Sequence, residues 1–235
     1  TAALFAACHQ RFWDRLAMPG TWLQAEERVA VAAEARVAET CSACARARQA
    51  LSPEADSGSH DRSDASLPEA WRGLIHRVIA DPGRLSRSWF DRIRTAGVED
   101  TTYVEILGTL VTVKLIDSFC RGLGLPLHPL PEPRAGSPSR HRPASAVLDD
   151  AWVPWIPADA NTGAEADLWP RGRTGNVIRA LSLVPDEVRT LLDTSDVHYV
   201  PIGDVSRTGV DGRALSRDQI ELLAARVSAL NQCFY

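Results

Sequence analysis

Apolar positions along this chain recur mainly at three- to four-residue intervals, the period of helices lying on a core, rather than at every second residue as in half-buried strands. Residues 24–39, QAEERVAVAAEARVAE, put Val and Ala at that spacing in a stretch of high helix propensity. Residues 103–123, YVEILGTLVTVKLIDSFCRGL, carry a second apolar stripe, and its β-branched run ILGTLVTV reads locally like a strand. The stretch is assigned as a helix because it is longer than strands usually are. It also holds no turn signal apart from Gly108 and stops at GLGLP. Further helices are predicted over residues 4–16, 41–51, 68–80, 84–96, 177–183, 186–193 and 216–230. The predicted fold class is all-α.

Two stretches follow neither period. Residues 52–66, SPEADSGSHDRSDAS, are polar and read as a mobile loop. Residues 125–174 hold many of the prolines together with Trp152, Trp155 and Trp169. A structureless run of that length is unusual inside a compact domain. Its tryptophans predict an ordered strap over the helices, with the indoles filling core rather than touching a ligand.

The formal charge of -4 comes from interspersed acids and bases, which argues against a nucleic-acid footprint. The densest basic stretch, PRAGSPSRHRP around Arg134 and Arg142, is rich in Pro and Ser and reads as a solvated loop. No eighteen-residue apolar window and no signal-peptide pattern is found, so the expectation is a cytoplasmic protein without a membrane partner. The five cysteines comprise one close pair, Cys41 and Cys44, and three singles, Cys8, Cys120 and Cys233. An odd, scattered set fits free thiols in a reducing compartment, where a close pair suggests redox or metal chemistry.

Self-comparison ties the pair to the end of the chain. With Cys41 over Cys233, LQAEERVAVAAEARVAETC aligns with LSRDQIELLAARVSALNQC. A shorter copy, YVEILGTLVTVKLIDSFC, puts Glu105 in the place of Glu221 and Asp117 in that of Cys233. Thr40 and Asn231 are suitable N-caps, which would set Cys41 and Cys233 in the first turn of a following helix. There the helix dipole and free N–H groups favour thiolate. Cys44, one turn beyond Cys41, could close a disulfide, the chemistry of a dithiol catalyst. Two buried, inert cysteines remain the plainer alternative, and Cys8 and Cys120 are read that way. Zinc is disfavoured because no matching pair exists and His60 and His76 lack the usual ligand spacing. A thioredoxin-like site is disfavoured because a helix, not a strand, precedes the pair.

The segment LSRDQIELLAARVSALNQCFY resembles the carboxymuconolactone decarboxylase superfamily and, within it, the alkylhydroperoxidase AhpD-like branch. The family pattern is Glu, eleven residues, Cys, two residues, Cys, three residues, His, and Glu221 and Cys233 match its start. A softer likeness extends from Glu26 onward. The resemblance implies an AhpD-like helical fold with internal repeated units, assembled into a homo-oligomer. It divides the chain into an N-terminal half (1–123) carrying the Cys-x-x-Cys, a connecting strap (124–175) and a C-terminal half (176–235). The second cysteine and the histidine of that last half would fall beyond Tyr235, so the expectation is a chain that continues. A selenocysteine at the next position would give the same ending. The implied chemistry is peroxide reduction: one thiol attacks, the other resolves, and Glu and His manage the protons. No metal or other cofactor is implied, and electrons come from an external dithiol. Cys233 with Glu221 is the implied main site, and Cys41 with Cys44 a second dithiol.

The N-terminal copy departs from the pattern. Val29 stands where the glutamate belongs and Arg48 where the histidine belongs. Arg48 could stabilise a thiolate but cannot act as a base. Glu27 and Glu34 lie near enough to substitute, although a solvated helix face is the preferred reading of both. His76, in LIHRV, is read as a core histidine rather than a proton relay. Two alternatives stay open: a decarboxylase or isomerase using Glu221, His76 or His198, and a non-catalytic oligomerisation scaffold.

Overall fold

The helix with the strand-like sequence, α6 (Asp100–Gly122), is the axis of the molecule. Tyr103, Val104, Ile106, Leu110, Val113 and Ile116 are all buried along it, because a helix walled by others on several sides needs apolar residues around most of its circumference. The computed structural model describes residues 2–52, 58–169, 174–201 and 214–231. Among them, α1 (Ala2–Leu16), α2 (Ala25–Ala38), α4 (Glu69–Ala80) and α8 (Pro185–His198) pack with α6, and α3 (Ser42–Gln49) packs on α4. The remaining helices are α5 (Arg87–Thr95), α7 (Asn176–Arg179) and α9 (Arg217–Leu230). The described residues form no strand, only an isolated antiparallel bridge between Val147 and Trp155. The all-α expectation therefore holds, and each predicted helix appears with modest shifts of its ends. No helix among the described residues is long and apolar enough to cross a membrane.

Local chemistry accounts for those ends. A capping box opens α2, with the Gln24 N–H donating to the Glu27 carboxylate; Glu27 is thus a helix cap rather than a partner of the cysteines. The α8 helix runs past its predicted end at residue 193, and the hydroxyls of Thr190 and Thr194 bond back along it to Asp186 O and Thr190 O. Asn231, predicted as an N-cap, is instead the C-cap of α9, with its side-chain amide donating to Val227 O at 3.0 Å.

The strap behaves as the tryptophans predict. Trp155 and Trp169 are buried and Trp152 packs against the core. The Trp169 indole N–H donates to Ala158 O at 2.8 Å. Main-chain bonds from Arg134 to Ala17 and from Arg140 to Thr21 lace the strap onto the α1–α2 turn. The polar loop is a correction: residues 60–63 do not lie loose in solvent but are bonded against α2, α3 and α4.

Two buried polar clusters hold the helices in register. Arg28 lies between Glu105 (3.7 Å) and Glu187 (3.3 Å), each carboxyl almost wholly enclosed. Glu105 also accepts the Trp22 and Leu23 N–H groups. One guanidinium serves two carboxyls, and burial raises the pKa of both, that of Glu187 to about 8. Gly108 makes room for this arrangement, since a Cβ there would run into the Glu187 side chain. The second cluster is a chain of imidazoles: buried His9 bonds His128 through Nδ1 (3.0 Å) and His198 through Nε2 (2.9 Å). Burial and the two neighbouring rings push the His9 pKa down to about 4.

Removing Arg28 strands a buried carboxylate. Arg28→Ala is expected to cost about 3–5 kcal/mol of stability, whereas Glu187→Gln, which replaces an already neutral carboxyl, should cost about 1 kcal/mol or less; urea unfolding of both variants measures the difference. His9 sets a pH dependence. The unfolded chain protonates it near 6.5 and the folded chain only near 4, so its contribution is intact above pH 6.5 and declines as the pH falls towards 4. The expected loss across that window is roughly 2 kcal/mol, and urea midpoints measured against pH should show the same decline absent from His9→Gln.

Candidate active site

The site forms where the end of α2 meets α3 and α4, and its centre is Glu34. This residue falls on the apolar stripe of α2, one turn from Ala30 and from Ala38, and is 0 % exposed. One carboxylate oxygen accepts the His76 Nε2 proton at 2.8 Å. The other accepts the Ser63 hydroxyl at 2.6 Å, the Ser63 N–H at 3.1 Å and the Arg72 guanidinium. Burial opposes ionisation, but these donors outweigh it and hold Glu34 below the usual carboxylate range. The solvated-face reading of Glu34 is therefore overturned. Three turns of α4 separate the polar edge at Glu69 from its end at Ala80, and Arg72 and His76, four residues apart, present one face to Glu34.

The dithiol sits beside this anchor. The α3 helix starts one residue later than predicted: Cys41 is itself the N-cap, and Thr40 only bonds back to Val37 O. The loop supplies the cap, as the Asp61 carboxylate accepts the Ser42 N–H at 2.9 Å. In return the Asp61 N–H donates to Cys41 Sγ at 3.4 Å. One turn on, Cys44 Sγ lies 3.2 Å from His76 Nδ1 and 3.4 Å from His60 Nδ1, and Cys41 Sγ lies 3.8 Å from the same nitrogen of His60. A carboxylate can only accept, so His76 carries its proton on Nε2 and leaves Nδ1 free to accept from the Cys44 thiol. Cys44, His76 and Glu34 form a continuous proton path. The two imidazoles stack with centroids 4.2 Å apart.

Enclosure shifts two of these groups towards their neutral forms. Burial, with Cys41 alongside, pushes the Cys44 thiol up to about 12, and burial beside His76 pushes His60 down. Both cysteines are buried, yet only Cys44 lines a cleft of about 180 Å³, whose walls include His60, His76, Arg77, Trp89 and Arg92. The sulfurs and the Nδ1 atoms of His60 and His76 all lie within 4.8 Å of one another, four donors that could close on a soft cation.

Other expected site residues stand apart. Val29 packs against the core and Arg48 is exposed. Cys8 and Cys120 are buried and free, and Cys120 lies beside His9 and His128 of the imidazole chain. His198 belongs to the imidazole chain with His9. Glu221, 45 % exposed, accepts the Tyr199 hydroxyl at 2.7 Å and pairs with Arg217 at 2.6 Å. Cys233 lies outside the described residues. Sequence reasoning missed Glu34, His60, Ser63 and Arg72 as members of the site. An acidic residue on an otherwise apolar helix stripe was the available signal for Glu34; nothing in the spacing announced the loop residues.

No protein-family model matches the sequence, no curated protein matches it, and no solved structure matches its fold.

Proposed function

We propose that the chain is a thiol–disulfide oxidoreductase that reduces peroxides with Cys44 as nucleophile and Cys41 as resolving thiol, in the manner of the AhpD-like enzymes that its sequence resembles. The observation that carries this reading is the path from the cleft-lining Cys44 through His76 to Glu34. A thiol held up at about 12 needs a base at the moment of attack. His76 takes that proton, and the carboxylate of Glu34 stabilises the imidazolium so formed. The Cys44 thiolate displaces alkoxide or hydroxide from the peroxide and becomes a sulfenic acid, while the His76 proton leaves with the departing oxygen. The Cys41 thiol then attacks the sulfenic sulfur, forming the disulfide and releasing water. An external dithiol returns the pair to thiols by exchange. The histidine of the family pattern is thus supplied from α4 and the glutamate from two turns before Cys41.

Cys44→Ser should abolish peroxide consumption, and Cys41→Ser should leave a sulfenic acid on Cys44 that dimedone traps. His76→Gln should lower the rate about 10²–10⁴-fold. A Cys44→Ser protein as active as the parent, with activity lost instead in Cys233→Ser, would move the chemistry to the C-terminal thiol and overturn this assignment.

Self-association is supported by α9, which exposes Leu222, Leu223, Val227 and Leu230 and buries none of its described residues. A second copy covering this face accounts for four unsheltered apolar side chains on one short helix. Leu223→Ser with Val227→Ser is expected to shift the chain to a smaller species in sedimentation velocity.

A further inference from the structure

We infer that Cys41, Cys44, His60 and His76 bind one zinc ion. Zinc bonds of about 2.3 Å to sulfur and 2.0 Å to nitrogen, arranged tetrahedrally, require sulfur–nitrogen edges of about 3.5 Å. Three of the four observed edges are 3.2, 3.4 and 3.8 Å, and the fourth, from Cys41 to His76, lies within 4.8 Å. The donor set, two thiolates and two imidazoles, is one that favours zinc over the hard cations.

The surroundings are those of a ligand shell rather than of four stray side chains. His76 donates its remote N–H to Glu34 at 2.8 Å, the carboxylate–histidine–metal arrangement that fixes a ligating tautomer. The Asp61 N–H points at Cys41 Sγ, where it would stabilise metal-bound sulfur. The charges also close. Two thiolates neutralise the dication, and Arg72 neutralises Glu34, so loading leaves the buried site with no net charge.

Four protein ligands leave no open position for a substrate, so the ion holds the site together and shields the thiols rather than acting as a Lewis acid. Together with the proposed dithiol chemistry of the metal-free form, on which this second step rests, zinc makes the site a redox-released centre: while the ion is bound His76 Nδ1 is a ligand and not a base, and the thiolates need none. Two electrons pass from the two zinc-bound thiolates to one peroxide, with two protons taken from solvent. The products are the Cys41–Cys44 disulfide, an alcohol or water from the leaving oxygen, one water from the oxygen that passed through the sulfenic acid, and free Zn²⁺. Restoring the thiols with an external dithiol rebuilds the ligand set.

The test uses the full chain, reduced, stripped with a chelator and dialysed, then titrated with Zn²⁺ and separately with Co²⁺. One equivalent should bind, and the cobalt form should show the intense visible bands of tetrahedral coordination with a thiolate charge-transfer band. His60→Ala removes a half-buried loop ligand without touching the helical core, and should weaken binding at least about 100-fold while leaving the circular dichroism unchanged. Weak octahedral cobalt spectra, or equal affinity in His60→Ala, would overturn the zinc site. Peroxide added to the loaded protein should release one zinc per disulfide, read with a chromogenic chelator. Zinc that binds as described but stays bound while peroxide is consumed elsewhere would retain the ion site and refute the redox coupling. Peroxide reduction at Cys44 without any zinc affinity would refute the ion site and its release together and leave only the dithiol chemistry.

Discussion

Glu34 is the interaction on which the site depends. A carboxylate with no solvent contact is unfavourable by several kcal/mol unless its lone pairs are met. Here they are met from three directions: by His76 and Arg72 of α4, and by Ser63 of the loop. Meeting those demands fixes the separation of α2 and α4 and draws a polar loop onto the protein. Once Ser63 is held, Asp61 falls within reach of the α3 N-terminus and His60 within reach of both sulfurs. The position of α3, and therefore of the dithiol, follows from a hydrogen-bond requirement two turns upstream in the sequence.

The core solves the same problem differently at Arg28. There one guanidinium faces two carboxyls, and Glu187 keeps its proton near neutrality because its surroundings supply little else: its Oε2 has no hydrogen-bond partner among the described residues. Glu34, with four donors, stays ionised at comparable burial. The contrast is one of balance: burial prevails at Glu187 and also at Glu105, although Glu105 accepts two main-chain N–H groups, and is outweighed by the four donors at Glu34. It also separates the two by role. A neutral Glu187 suits helix packing against Gly108, whereas an ionised Glu34 can stabilise a proton arriving on His76.

The helices were legible in the sequence because each carries its own period, as α2 and α6 do. Even the strand-like run in α6 was resolved by length and by its stopping signal. Half of the site was legible too, since Cys41 and Cys44 declare themselves by spacing. The rest was not, for two physical reasons. His60 and Ser63 sit in a segment whose composition favours disorder, and what holds residues 60–63 is their bonds to Glu34 and to the start of α3, on elements distant in sequence. Val29 occupies the position of the expected glutamate, so alignment by spacing pointed away from Glu34, whose seven-residue separation from Cys41 reaches the cysteines through His76 rather than directly. A chain read one element at a time cannot weigh a hydrogen bond between α2 and α4.

The acids that the sequence self-comparison aligned with the site serve packing. The third copy aligned Glu105 with Glu221 and Asp117 with Cys233. In the fold Glu105 ties the α1–α2 turn to α6, and Asp117 makes a two-pronged bond with Arg36 at 2.7 and 2.9 Å. These are buried polar ties between helices, placed where the other copy places a thiol. The aligned positions differ in the fold: α6 runs unbroken through Asp117, whereas α2 ends at Ala38 and Cys41 caps the start of α3. What distinguishes Cys41 and Cys44 is the company of His60 and His76, and the second of these is aimed by Glu34. Under the proposed function reactivity resides in that cross-helix contact, whereas Cys120, beside His9 and His128, has no carboxylate-oriented histidine against its sulfur.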